Sequence, residues 1–206
     1  MIISLIGMSN AGKTYWSKKL EANGFIRYGC DEMIENKLGP QLKKLGFKGI
    51  KDVAKWMGQP YEKQHKKNSL TYLDFEKQIM REILSNIKQM DLRKNVVIDT
   101  TGSVIYTGDD ILNMLSESSI IVYLTTPASV KKIMYENYIK NPKPVFWGDV
   151  FSKRKGETNL QALSRCYPEL LSYRQKKYQQ YAKITLDYSG LRKNISTDKF
   201  ISFLSS

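Results

Sequence analysis

Cysteine is nearly absent from this chain: Cys30 and Cys166 are the only two, far apart in sequence. That argues against a disulfide framework or a cysteine-built zinc cluster, and makes a reducing cytoplasm the expected compartment. Histidine is scarcer still. His65 stands alone in the basic stretch EKQHKKN, where an exposed rather than a catalytic side chain is expected. No apolar run approaches the roughly 20 residues that span a membrane. The opening run Ile2 to Ile6 is too short for a signal peptide and leads straight into glycine. Repeats and low-complexity tracts are missing too. Acidic residues are outnumbered, with 20 Asp and Glu against 33 Lys and Arg, a net charge of +13. Such an excess favours anionic partners such as nucleotides, phosphorylated metabolites, nucleic acid or acidic membrane. The lysines are dispersed, however, and a solvated basic surface accounts for them as well.

What is present is ordinary for a globular protein of 206 residues: 41% hydrophobic and 26% charged. This length builds one core, with room for a small subdomain. The short apolar run 2–6 reads as a buried strand, and 25–28, the run VVID (96–99), 119–124 and 183–187 as further strands. Helical patterns separate them. Leu70 to Met90 carries apolar residues at helical spacing, and Thr126-Pro127 has the form of a helix start with Thr as N-cap. A helix over Gln161 to Ala182 is expected to be interrupted near Pro168, and a closing helix covers Thr197 to Leu204. Strands alternating with helices predict a three-layer α/β/α fold around a five-stranded parallel sheet. Residues 36–68 are basic and broken by Gly39-Pro40, Gly46, Gly49 and Gly58, and read as a projecting helical subdomain. Residues 141–159 form a long basic loop, of a kind that is usually functional.

The stretch GMSNAGKT, Gly7 to Thr14, fits G-x-x-x-x-G-K-[ST] throughout, and follows a strand and opens a helix as that motif requires. Gly7 and Gly12 permit backbone angles that turn the N–H groups of Ser9, Asn10 and Ala11 inward as an anion nest. The helix N-terminus adds partial positive charge. Lys13 is expected on the β- and γ-phosphates, Thr14 on Mg²⁺, and Tyr15 beside the nucleotide. The run VVID ends in Asp99, a carboxylate placed to hold Mg²⁺ or its water opposite Thr14, or else to cap the next turn.

With these residues in place, the chain resembles the shikimate kinase branch of the small P-loop kinases, related in architecture to nucleoside monophosphate kinases. The resemblance implies a P-loop kinase fold with a small substrate-binding subdomain (36–68), a lid (141–159), ATP and Mg²⁺ as cofactors, and phosphoryl transfer to a small hydroxylated molecule. In GCDEMIE the second Asp of the family's Asp-x-Asp is kept as Asp31, while the first is Gly29. The family's glycine triplet appears as Thr101-Gly102-Ser103, and its Phe-Arg pair as Phe75-Glu76. Its lid Arg-Pro appears as Lys143-Pro144, and its Arg…Tyr…Ala stretch as Arg174, Tyr178 and Ala182. Glu76 puts a negative charge where the family binds a carboxylate. Asp99 is a substitute for the acid lost at Gly29.

These correspondences predict roles. Asp31 orients the acceptor hydroxyl and takes its proton, or caps a helix beginning at Glu32. Gly102 and Arg174 bind substrate, with a surface ion pair as the other reading of Arg174. Arg154, among Lys143, Lys153 and Lys155 in the lid, is the candidate to close on the transferring phosphoryl group, because its planar fork matches phosphate oxygens. Arg165 flanks the adenine. Trp56 and Trp147 stack on a ligand ring or pack locally. Two other functions remain open at this stage: a kinase for a nucleotide or a polynucleotide 5′-hydroxyl, favoured by the basic stretch Lys37 to Lys67, and a nucleotide-binding regulatory protein without phosphotransfer.

Overall fold

A computed structural model describes the chain except residues 48, 92, 192–194 and 205–206 and the side chains of residues 49–51, 128, 188 and 189. Its elements are β1 (Ile2–Ile6), α1 (Lys13–Glu21), β2 (Ile26–Gly29), α2 (Cys30–Lys44), α3 (Gly49–Met57), α4 (His65–Lys88) and β3 (Val96–Asp99). A 3-10 turn (Val104–Tyr106) leads to α5 (Asp109–Ser118), β4 (Ile120–Leu124), α6 (Ala128–Lys140), α7 (Asn159–Tyr181), β5 (Ile184–Leu186), α8 (Tyr188–Leu191) and α9 (Thr197–Ser202).

The strands form one parallel sheet in the order β2-β3-β1-β4-β5. Alternate side chains of each strand face opposite layers, so strands buried on both sides read as unbroken apolar runs. Ile6, Val96, Ile98, Ile121 and Tyr123 join a large cluster with residues of α2 to α7. Ile3, Leu5, Val97, Val122 and Leu124 join a smaller one with Trp16 and Leu20 of α1 and Phe200 of α9. Trp16 and Phe200 stack with ring centroids 4.3 Å apart, which fastens α9 to that face. The α/β/α layering expected from the sequence is therefore present.

Two expected breaks do not occur. Helix α2 runs through Gly39-Pro40, and α7 runs through Pro168. Each proline removes the N–H that would bond four residues back, at Asn36 and Ser164. In both cases the proline and the freed carbonyl's residue are exposed, so the missing bond falls on the solvent side of the helix. The opposite face holds each helix: Ile34, Leu38 and Leu42 on α2, and Leu163, Cys166, Leu170 and Leu171 on α7, are all buried. Leu38, Leu42, Val53, Trp56 and Met57 pack into the large cluster together with the sheet.

Thr126 is not a helix cap: Pro127 holds the N-cap position of α6, and the Thr126 hydroxyl is buried without a hydrogen-bond partner. His65 is buried too, at the start of α4, contrary to the expected exposure. Trp56 and Trp147 are both packed inside, and Trp147 donates from Nε1 to Tyr138 Oη at 3.3 Å.

Helix α7 is started by a capping box. Gln161 N donates to Thr158 Oγ1 at 3.2 Å, and Thr158 N donates to Gln161 Oε1 at 2.8 Å. Thr158→Ala removes one of these bonds and should lower stability by about 1 kcal/mol. Urea unfolding should show an earlier midpoint at unchanged slope; an unmoved midpoint would show that the box does not hold this helix.

Candidate active site

The loops that follow β1, β2 and β3 meet outside the carboxyl ends of the strands, where β1 lies between β3 and β4 and open α/β sheets bind ligands. There they enclose a cavity of about 560 Å³. The phosphate loop is one wall. Gly7 has φ +144°, and a Cβ there would stand 2.7 Å from the Leu124 carbonyl oxygen, so only glycine permits this approach to β4. Asn10 is left-handed at φ 64°, and Gly12 at φ 97° is the N-cap of α1. Met8 is buried and anchors the loop, while Ser9, Asn10, Gly12, Lys13, Thr14 and Tyr15 line the cavity.

Lys13 is 7% exposed, and its Nζ donates to the carbonyls of Gly7 (2.8 Å) and Met8 (3.0 Å). Burial pulls its pKa below the usual lysine value, while Asp99 and Asp31 pull it back up. Asp99, at the end of β3, is buried. Its Oδ2 accepts from Ser17 Oγ at 3.0 Å and from Arg27 at 3.2 Å. Ser17 Oγ also lies 3.1 Å from the Thr14 carbonyl oxygen, so Asp99 is tied to α1 through Ser17. Arg27 is paired outward with Glu32 at 2.7 Å. Asp99 lies directly across the β2–β3 ladder from Gly29, the position where the expected first Asp is missing.

Asp31 sits in the first turn of α2, one residue past the helix start at Cys30; Gly29 holds the N-cap, so the capping role is excluded. Its Oδ1 accepts from Tyr72 Oη at 3.0 Å, and both residues line the cavity. Crowding by protein raises the pKa of Asp31, with Lys13 and the Tyr72 hydroxyl acting in the opposite sense. The residue is exposed to the cavity, so water screens part of this effect.

Thr101, Gly102 and Ser103 form another wall. Glu76, on α4, is fully buried and does not line the cavity, contrary to the expectation of a negative charge at the substrate. Its two carboxylate oxygens accept from the hydroxyls of Thr101 and Ser103, the latter at 2.6 Å. Glu76 therefore holds the turn that shapes the cavity. Burial raises its pKa to about 7 despite both hydrogen bonds. Tyr178 Oη donates to the Gly102 carbonyl at 2.6 Å.

Arg174 is 6% exposed and lines the cavity, which removes the surface ion-pair reading. It donates to the Phe146 carbonyl at 2.6 Å and lies over the Tyr106 ring, 5.6 Å from its centroid. Its Nε has no well-directed hydrogen bond, and no carboxylate lies within ion-pair distance of it among the described residues. From the segment 141–159, Lys143 and Pro144 reach the cavity, and Lys143 Nζ donates to Asn10 Oδ1 at 3.0 Å on the phosphate loop. Arg154 and Arg165 do not line it. Arg154 is exposed, and Arg165 is bound to Glu157 at 2.8 Å and to the Ser152 carbonyl at 2.7 Å.

Sequence reasoning missed Tyr72. It stands four residues before Glu76 on the same face of α4, a spacing that offered a signal once Glu76 was singled out. Among the described residues there is no group of three or more acidic, histidine or cysteine side chains arranged to hold a metal. A Mg²⁺ ion at Thr14 and Asp99 would thus take most of its ligands from phosphate and water, as this ion commonly does.

No family model and no curated protein matches the chain. Solved structures do. A shikimate kinase from Acinetobacter baumannii in complex with shikimate is similar over 99% of this chain and 92% of that one, with 22% identity and a TM-score of 0.62. A shikimate kinase from Aquifex aeolicus aligns over 100% and 96%, at 18% identity and TM-score 0.59. A dephospho-CoA kinase from Campylobacter jejuni aligns over 99% and 96%, at 13% identity and TM-score 0.54. The chain has the fold of these P-loop kinases.

Glu76 makes stability depend on pH. Its folded pKa of about 7 lies above the ordinary 4.5, so the folded state holds the proton more tightly. The stabilisation is complete below about pH 4.5 and is lost as pH rises through about 7, on the order of 3 kcal/mol in all. Glu76→Gln should flatten this slope in unfolding measurements across that window; parallel wild-type and variant curves would refute it.

Proposed function

We propose that the chain is an ATP- and Mg²⁺-dependent kinase that transfers the γ-phosphoryl group to a hydroxyl of a small anionic metabolite. The observation that carries this reading is that one cavity joins the phosphate loop, the Asp31–Tyr72 pair and the buried, acid-free guanidinium of Arg174. A buried cation without a carboxylate partner is costly unless an anion meets it, and its fork suits a carboxylate or phosphate oxygen pair. The fold shared with shikimate kinases supports a phosphoryl acceptor of metabolite size.

Phosphoryl transfer needs positioning and charge neutralisation more than covalent chemistry. Backbone N–H groups of Ser9 to Gly12 hold the phosphates, and Lys13 turns from the Gly7 and Met8 carbonyls to them. Residues at the metal side fit Mg²⁺: the Thr14 hydroxyl is a hard oxygen donor, and Asp99 acts on the ion or its water while Arg27 limits its net charge. When bound, Mg²⁺ neutralises charge on the phosphates. Arg174 and the Gly102 turn hold the acceptor. Asp31 orients the acceptor hydroxyl and takes its proton; its raised pKa makes it a better base than an ordinary aspartate. Lys143, already on the phosphate loop, approaches the transferring group from the lid.

An ATP-turnover screen over hydroxylated carboxylates, including shikimate, and over nucleosides and 5′-hydroxyl oligonucleotides tests the reading. With the acceptor found, Asp31→Asn should lower kcat by on the order of a hundredfold or more while ATP affinity stays within a few-fold. Arg174→Lys should act mainly on the acceptor KM. Lys13→Ala should abolish turnover. Turnover of oligonucleotides alone would move the assignment to a polynucleotide kinase, and full activity of Asp31→Asn would remove Asp31 from the reaction.

A further inference from the structure

A second cavity, of about 800 Å³, is bounded by the first turns of α4, the 3-10 turn, residues 146–151 and the middle of α7. It shares no lining residue with the first. The two meet back to back at Arg174, which lines the first cavity, while Tyr106 and Phe146, its ring and carbonyl partners, line the second. Its size is that of cavities that enclose small organic ligands.

The walls are ring faces and aliphatic side chains. Tyr106 and Tyr173 stack at 5.8 Å and 21°, and Tyr106 and Phe146 are tilted at 4.9 Å. Leu70 is 47% exposed and Tyr173 40% exposed, both at the lining, so these apolar side chains are open to a ligand in the cavity. The lid stretch does not collapse into the space because Trp147 is anchored in the core through Tyr138. At Gly148 (φ +56°) a Cβ would meet Tyr106 Cε1 at 3.3 Å, so glycine lets the lid backbone lie close against that ring.

Two polar groups at the lining are left as acceptors, beside the hydroxyls of Tyr106 and Tyr173, which can accept or donate. His65 lines the cavity at 6% exposure, and its Nδ1 lies 2.9 Å from the Gly58 carbonyl oxygen. A carbonyl only accepts, so Nδ1 carries the proton of the neutral ring and Nε2 keeps a lone pair. Burial lowers the His65 pKa and so favours that neutral form. Ser69 Oγ spends its proton on the Lys66 carbonyl at 3.2 Å and is likewise left as an acceptor. Lys66 and Asp149, both exposed, contribute opposite charges to the lining and offset one another.

We propose that this cavity is a second ligand site, built for an uncharged planar aromatic ring that carries an N–H donor. Stacking faces select the plane, and the acceptors select the donor. The proposal does not depend on the phosphotransfer reading.

Indole and benzofuran, which have the same shape but differ in the N–H group, are the probes, titrated against the full chain by NMR. Indole should bind saturably, and benzofuran about tenfold more weakly, because it leaves the acceptors unpaired. Leu70→Trp, a substitution at an exposed position that fills the space, should abolish indole binding without moving the melting temperature. Tyr173→Ala should weaken it from another wall and serves as the second variant if Leu70→Trp does not fold. ATP should not displace indole. Absence of saturable binding, equal binding of benzofuran, binding that survives in a folded Leu70→Trp variant, or displacement by ATP would each overturn the proposal.

Discussion

Lys13 is a cation buried beside a loop whose backbone N–H groups are themselves positive, and the phosphate side of the site is arranged to tolerate it. Two carbonyls accept hydrogen bonds from it, and Asp99 and Asp31 supply the opposing charge. Asp99 in turn is balanced by Arg27, and Arg27 by Glu32, which reaches solvent. Charge therefore alternates from the buried centre to the surface, so that no ion is left dry and alone. A lysine held on main-chain carbonyls at such a place is stored rather than satisfied. A phosphate offers it a full charge where the carbonyls offer only dipoles, and that difference favours anion capture.

The same physics works with the opposite sign under the cavity wall formed by Thr101, Gly102 and Ser103. Glu76 is an acid in an apolar layer, met by two hydroxyls instead of a cation. Those hydroxyls belong to the turn that forms the wall, so the price of burying Glu76 is also what fixes Thr101 and Ser103. Arg174, close by, is compensated less completely. It has a carbonyl, a ring face and the Gly102 turn around it, and an Nε without a well-directed bond. Its guanidinium lines the cavity and meets no carboxylate among the described residues, which is where ligand charge fits.

Much of this was legible in the sequence. The central strands β1, β3 and β4 showed as apolar runs because both sheet faces are covered there, and the phosphate loop showed as spacing because only glycine takes the backbone angles at positions 7 and 12. Pro40 and Pro168 misled, since propensity records the lost hydrogen bond but not that the prolines lie on the exposed side while Leu38, Leu42, Leu170 and Leu171 hold the other. His65 misled in a similar way: a basic neighbourhood predicts exposure, yet the Gly58 carbonyl and the α4 start bury it.

Glu76 is the clearest divide. Its identity and its place on a helix are properties of the chain, and they pointed to a reversed charge at the acceptor. Whether that charge faces a ligand or two hydroxyls depends on the meeting of α4 with the turn after β3, which are 25 and 27 residues apart at the contacts. The local pattern determined the sheet, the helices, the phosphate loop and the candidate residues, because period and glycine spacing act over a few residues. The tertiary structure alone decided that Asp31 pairs with Tyr72, that Arg174 is buried without an acid, and that Arg154 and Arg165 lie away from the cavity. Each of these depends on which side chains a distant segment brings within a few ångströms, and the energy of a buried charge is set at that range.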